Sequence, residues 1–306
     1  MSLPRVLVLA DVRGWAWCRK AQALQRCLAG RIDVEVAYHT DHSAGPRIRE
    51  RAHDLYHSFE VIQVNHFPPG LPFVTGITAH VITGYENRGA GTVKRWADRA
   101  VGVHANSAML QREFSAHLGG RQVYYVPNGV DEGFFRRLRP RSSSSRLVVG
   151  HVARPNARKG HDVVREACAR VGVELRQIDR TFRNALDQAA MREFYQDLHV
   201  LVVHSSMDGT PNPALEAAAC EVAIVSNAIG NMPQFLEHGV NGLLTDHALD
   251  GLTAELANLA ARPRDEVEEM GRAARRAIEA DWTWAKRAEN YADMWTECIA
   301  KLRQAA

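Results

Sequence analysis

Four charged residues carry the chemistry legible in this 306-residue sequence. Asp208 and Glu216 have seven residues between them, the first in a polar loop (205–212) and the second in the first turns of a helix. Arg154 and Lys159 bracket another strand-to-helix turn, ARPNARKG, at 153–160. Helix N-termini attract anions. A carboxylate beside a phosphate is costly unless it binds hydroxyls, so the ligand that suits these acids carries both phosphate and sugar. Two fixed cations suit a leaving diphosphate, whose negative charge grows as the bond to it breaks. The plainer alternative is a surface loop and helix with solvated acids and unrelated surface charge.

The flanking sequence supplies elements to hold these residues. The apolar run 199–203 reads as a buried parallel strand before Asp208, and 147–152 as another before Arg154. Asn212 offers an N-cap and Pro213 suits the first helical position. The small residues 217–219 let that helix pack closely, and 222–226 is the next strand. A strand at 173–178 ends in Asp179, Arg180 and Thr181, placed to contact a nucleotide base, and 191–198 reads as an amphipathic helix. In doubly wound sheets ligands sit outside the carboxyl ends of the strands.

The first half repeats the alternation. Strands are expected at 6–10, 32–37, 61–64, 73–78 and 123–126, with a loop leading into a helix across 40–57. The turn 11–14 opens a helix from Trp15, and Gly14 permits close backbone approach to a ligand there. It is not a G-x-G-x-x-G fingerprint. Trp15 and Trp17 cannot share a helix face, so at least one packs into the core. Residues 136–146, RRLRPRSSSSR, lack hydrophobic periodicity and read as a domain linker with solvated charge. Helices follow at 249–261 and 266–280, broken by Pro263, and a last one at 284–302.

The length exceeds one typical core, so two domains are expected. With 46% hydrophobic and 24% charged residues the composition is that of a globular protein rather than a disordered or membrane chain. No apolar run approaches the ~18 residues needed to cross a membrane, and the start reads as a strand rather than a signal peptide. The five scattered cysteines, without a C-x-x-C pair, argue for a reducing cytoplasm and against structural zinc. Residues 1–140 hold 18 Lys/Arg against 12 Asp/Glu, and the remainder 20 against 23. A basic first half admits an acidic partner such as nucleic acid or anionic lipid, and equally a diffuse solvated surface.

Asp208, Gly209-Thr210-Pro211 and Leu215-Glu216-Ala217, continued by Asn231-Met232-Pro233 and Asn241-Gly242-Leu243, resemble the E-x7-E region of retaining GT-B glycosyltransferases, family 4 in particular. Pro127-Asn128-Gly129-Val130-Asp131 is similar to the family's P-N-G-V-D segment, and Arg154 with Lys159-Gly160 to its donor-phosphate site. The chain departs at Asp208 (usually Glu), Glu221 (Gly), Ala223 (Pro) and Gln234 (Glu). The resemblance implies an α/β GT-B fold: two Rossmann-like doubly wound parallel-sheet domains facing each other across a cleft. Residues 1–140 would bind the acceptor and 141–280 the nucleotide-sugar donor, with 281–306 crossing back to the first domain.

The implied reaction moves a sugar from a UDP-sugar, or another nucleotide-diphosphate sugar, to a hydroxyl acceptor with retention. No cofactor and no metal are implied. Arg154 and Lys159 would neutralise the leaving diphosphate, Glu216 bind the ribose and Asp208 fix the sugar. Gly209, Thr210 and Asn212 would hold further sugar hydroxyls, Gly14 would face the donor phosphates and acceptor, and His80 would orient the acceptor side. No carboxylate pair suits a glycosidase-type double displacement, so front-face substitution assisted by the leaving phosphate is the expected mechanism. The acceptor classes are a glycan or lipid-linked glycan, or hydroxymethylated bases in DNA as in some small phage enzymes. A non-catalytic sugar-nucleotide binder remains the alternative to catalysis.

Overall fold

Along β1 (Arg5–Ala10), Val6, Val8 and Ala10 enter one hydrophobic cluster while Leu7 and Leu9 enter another. Successive strand side chains point to opposite faces, so a continuous apolar run can only sit where both faces are covered. In the computed structural model, β1 pairs in parallel with β2 (Asp33–Tyr38) and β3 (Leu55–Ser58), within a six-stranded sheet of order β2-β1-β3-β4-β5-β6. The remaining strands are β4 (Phe73–Ile77), β5 (Gly102–Ala105) and β6 (Val123–Tyr125). The helices around this sheet are α1 (Ala16–Cys27), α2 (Ala44–Arg49), α3 (Gly89–Asp98) and α4 (Ala108–His117). The structure describes residues 2–40, 44–78, 89–141, 144, 146–154, 157–179 and 186–305.

The chain forms two compact units, residues 1–129 with 284–306, and residues 130–283. The second is built on a five-stranded parallel sheet of order β11-β10-β9-β7-β8. Its strands are β7 (Val148–Ala153), β8 (Glu174–Asp179), β9 (Val200–Val203), β10 (Ala223–Asn227) and β11 (Gly242–Thr245). Its helices are α5 (His161–Val171), α6 (Gln188–Gln196), α7 (Asn212–Ala219), α8 (Met232–Phe235), α9 (Leu249–Ala261) and α10 (Arg264–Ala277). The last helix, α11 (Trp284–Ala305), belongs to the first unit, where Tyr291, Trp295, Cys298 and Ile299 join the cluster of α1 and β1. Trp17 packs against the same cluster. Among the described residues no helix is long and apolar enough to cross a membrane.

Three expectations need correction. Residues 61–64 are not a strand: Val61–His66 is a 3-10 helix, and the strand is Leu55–Ser58. The Glu60 carboxylate decides this by accepting from Val61 N (3.0 Å), Thr78 N (3.1 Å) and Thr78 Oγ1 (2.6 Å), which turns the chain immediately after β3. The sequence hid β3 because His57 interrupts its apolar run. Asn212 is not an N-cap; it lies inside α7, whose cap position is Pro211. Arg139 and Arg141 of 136–146 are not solvated linker charge, and the unit division falls earlier, at Gly129. Arg141 Nε donates to Leu198 O (2.6 Å), and Arg139 pairs with Glu193 (2.5 Å) and Asp197 (3.1 Å).

The first unit buries an ionisable cluster beside the carboxyl end of β3. Trp295 Nε1 donates to His57 Nδ1 (2.8 Å), His57 Nε2 lies 3.0 Å from His104 Nε2, and Lys20 Nζ sits 4.6 Å from the Phe59 ring centroid and 5.1 Å from that of Tyr291. Burial pulls Lys20 down from 10.5 to about 7, against the attraction of Glu60, and pushes Glu60 up from 4.5 to about 7. Burial also lowers both histidines. Glu221 is a second strained point: its φ is +61°, a left-handed conformation that favours the glycine usual in the resembling family.

Two outcomes follow from these groups. The unfolded chain keeps the Lys20 proton up to pH 10.5 and the folded chain only to about pH 7, so the penalty is complete below pH 7 and fades as pH rises to 10.5. Lys20→Met therefore raises the melting temperature near neutral pH, and its advantage narrows toward pH 10, as followed by differential scanning fluorimetry; a constant advantage would contradict a buried charge. Glu221→Gly relieves the backbone, offset in part by glycine's entropy, and stabilises by about 0.5–1 kcal/mol in urea unfolding.

Candidate active site

In a sheet of order 2-1-3-4-5 the chain changes direction between the first and third strands, which opens a crevice at their carboxyl ends. In the second unit those strands are β7 and β9, and the chain leaving each carries the predicted site residues. β7 runs into Arg154 and then the 3-10 turn Ala157–Lys159. Gly160 begins α5 in a left-handed conformation, φ +62°. A Cβ there would collide with the His204 ring and lie 2.8 Å from the His204 carbonyl oxygen, so only glycine lets this turn pass beneath the end of β9.

The loop after β9 is held on both sides. Asn227 at the end of β10 clamps Ser205, its Oδ1 accepting from Ser205 N (3.0 Å) and its Nδ2 donating to Ser205 O (2.9 Å). Ser206 N donates to Arg158 O (2.9 Å), which joins this loop to the turn that carries Lys159. On the far side Asn231 N donates to Gly209 O (3.0 Å) and Asn231 Nδ2 to Thr210 Oγ1 (3.1 Å). Gly230, at φ +57°, permits that approach, since a Cβ would sit 3.0 Å from Asp208 O.

Between these anchors Lys159 Nζ donates to Asp208 Oδ2 at 2.5 Å and to Met207 O at 3.3 Å. Both side chains keep roughly a quarter of their surface exposed, 24% and 22%, so a ligand in solvent can reach the pair. The next helix presents Glu216, half-buried, whose Oε2 accepts from Tyr195 Oη on α6 (2.9 Å). His204 stacks on His247 (centroids 4.2 Å apart, 14° between planes), and burial pulls His204 down to about 4, leaving it neutral near pH 7. His151, also pulled to about 4 by burial, lies within hydrogen-bond distance of Lys159 O (3.1 Å). The cationic side chains at the ends of β7 and β9 are thus arginine and lysine rather than histidine.

The structure brings Lys159 and Asp208 into direct contact and ties Gly209 and Thr210 to Asn231. Asn212 is half-buried in the first turn of α7, and Arg154 is exposed, its carbonyl accepting from His161 Nε2 (2.8 Å). Gly14 lies in the first unit at φ +79°, where a Cβ would meet nothing within 4 Å, beside an α1 terminus at which Asp11 Oδ1 accepts from Cys18 N (3.2 Å). His80 and Arg180 lie outside the described residues. Among the described residues no group of three or more His, Cys, Asp or Glu is arranged to hold a metal ion. Sequence reasoning missed Tyr195 and Asn227; the only signal for Tyr195 was a hydroxyl on the apolar face of an amphipathic helix.

Residues 151–293 match the family model described as glycosyl transferase-like. D-inositol 3-phosphate glycosyltransferase of Kribbella flavida is 30% identical over 182 residues, 58% of this chain and 41% of that protein. The chain thus matches less than half the length of that relative. Among solved structures, Anabaena Alr3699/HepE in complex with UDP and glucose aligns with a TM-score of 0.71 at 17% identity, over 96% of this chain and 100% of that one. Sucrose-phosphate synthase from Thermosynechococcus elongatus aligns with a TM-score of 0.77 at 13% identity, over 98% and 100%. Residues 151–293 are therefore similar to the glycosyl transferase-like family, in a chain whose two parallel-sheet, Rossmann-like units have the fold of GT-B glycosyltransferases.

Proposed function

We propose that this chain transfers a glycosyl group from a nucleoside-diphosphate sugar to a hydroxyl acceptor, with retention at the anomeric carbon. The observation that carries the reading is the Lys159–Asp208 contact at the carboxyl ends of β7 and β9, inside the glycosyl transferase-like region and with Glu216 on the helix that follows. A cation for the diphosphate and an acid for sugar hydroxyls are what such a donor requires. In this reading Lys159 and Arg154 take the charge that develops on the leaving diphosphate. Glu216, oriented by Tyr195, receives the ribose hydroxyls, and Asp208 with the 209–212 loop receives those of the sugar.

The acceptor oxygen forms its bond to the anomeric carbon on the face from which the diphosphate oxygen departs, and its proton passes to that leaving oxygen. Fixed protein cations supply the electrostatic stabilisation, so the proposed chemistry needs no metal or other cofactor. The acceptor class is a glycan or lipid-linked glycan. Five cysteines outside any disulfide, four of them buried, accord with work in a reducing cytoplasm.

UDP-glucose is the first donor to try, because the Anabaena protein was solved with UDP and glucose. A panel of UDP-, GDP- and ADP-sugars, with glycan and hydroxymethylated-DNA acceptors, is scored by calorimetry and by sugar transfer. One donor binds, and Glu216→Ala and Lys159→Ala each weaken it by about 10–100-fold, the loss of one charge-assisted hydrogen bond. Binding without transfer to any acceptor or to water identifies a non-catalytic binder. Unchanged affinity in both variants removes these residues from the donor site.

A further inference from the structure

The ion pair between Lys159 and Asp208 has a consequence for which ligands the site keeps. The lysine proposed to meet the donor diphosphate already has a partner, at 2.5 Å, and that partner is the acid proposed to meet the sugar. We propose that Asp208 is a specificity-determining latch: it competes with the diphosphate for Lys159, and only a ligand that also carries a sugar compensates the acid for the lost cation. The inference rests on the donor-site reading above and adds a ranking of ligands to it.

The chemistry has two steps. An incoming diphosphate must draw Lys159 Nζ off Asp208 Oδ2, which leaves a partly buried carboxylate beside a second anion. Unpaired and facing like charge, that carboxylate is costly. Sugar hydroxyls donating to Asp208 offset the cost in a nucleotide sugar. A free nucleoside diphosphate carries no such hydroxyls at that point, so it faces both the lost ion pair and the repulsion.

After transfer, when the sugar has left for the acceptor, Asp208 can retake Lys159 and displace the spent diphosphate. The backbone is arranged to keep the pair in register. Ser206 N to Arg158 O ties the loop to the lysine turn, Met207 O gives Lys159 a second acceptor (3.3 Å), and Gly160 lets the turn lie against His204. Asp208 also stands where the resembling family has glutamate. In this chain the shorter acid meets Lys159 directly.

The test is a double-mutant cycle read by calorimetry with UDP, GDP and ADP and with UDP-glucose, GDP-glucose and ADP-glucose. In the unaltered protein the nucleoside diphosphate binds less tightly than its glucose conjugate. Asp208→Asn then tightens the diphosphate by about three- to five-fold, the scale of a partly exposed ion pair, while weakening the conjugate. In a Lys159→Ala background the same substitution tightens the diphosphate less, because only the repulsion is then relieved. Product inhibition of transfer by the diphosphate deepens in Asp208→Asn. An unchanged or weakened diphosphate affinity in Asp208→Asn overturns the latch. A gain of undiminished size without Lys159 also overturns it, since plain repulsion would then account for the whole effect. If none of the six probes binds any form, the donor-site reading fails and takes the latch with it.

Discussion

Everything in this molecule that bears on chemistry depends on the change of direction within its parallel sheets. A parallel strand buried on both faces needs helical crossovers, and a sheet that grows outward in both directions from its first strand must open between its first and third. In the second unit that opening lies between β7 and β9, so the turn 157–160 and the segment 204–212 follow adjacent strands. Their residues are far apart in sequence, yet Ser206 hydrogen-bonds to Arg158 and Lys159 to Asp208. The turn chemistry then answers to this geometry. Gly160 passes beneath His204, and Gly230 lies against the backbone of Asp208 and Gly209.

The same topology in the first unit places β1 beside β3, and there the fold gives up stability to enclose polar groups. His57, His104, Lys20, Glu60 and Tyr291 are buried with Trp295 of the final helix. Glu60 is hydrogen-bonded by Val61 and Thr78, which makes it a structural corner. Lys20 instead faces the rings of Phe59 and Tyr291, and the field of Glu60 is what favours its charged form. Burial of such a group is tolerated because the surrounding cluster of α1, β1 and α11 contributes extensive apolar area.

In the second unit the balance of charge is different. Histidines are numerous around the carboxyl ends of the strands, but burial keeps His151 and His204 neutral at ordinary pH, and their rings serve packing and backbone hydrogen bonds. The site's other ionisable side chains are Arg154, Lys159, Asp208 and Glu216, arranged so that one acid is paired with a lysine and the other accepts a tyrosine hydroxyl.

Much of this was open to sequence reasoning because it depends on local periodicity. Continuous apolar runs announced β1, β7, β9 and β10, and the breaks between them located the two turns with Arg154, Lys159, Asp208 and Glu216. Short motifs also led to the GT-B fold. Where the sequence misled, a long-range contact had overridden a local preference. Val61 to Val64 have the composition of a strand, yet the Glu60 carboxylate, bonded to Thr78 from a neighbouring strand, bends them into a 3-10 helix. Arginines in a serine-rich stretch look solvated until Leu198 and Asp197 are brought to them. The sequence by itself determined which residues could be charged, apolar or turn-forming, since those are properties of single side chains and their spacing. Only the tertiary structure decided that Lys159 meets Asp208 and that Tyr195 meets Glu216, because each depends on where elements far apart in the chain come together.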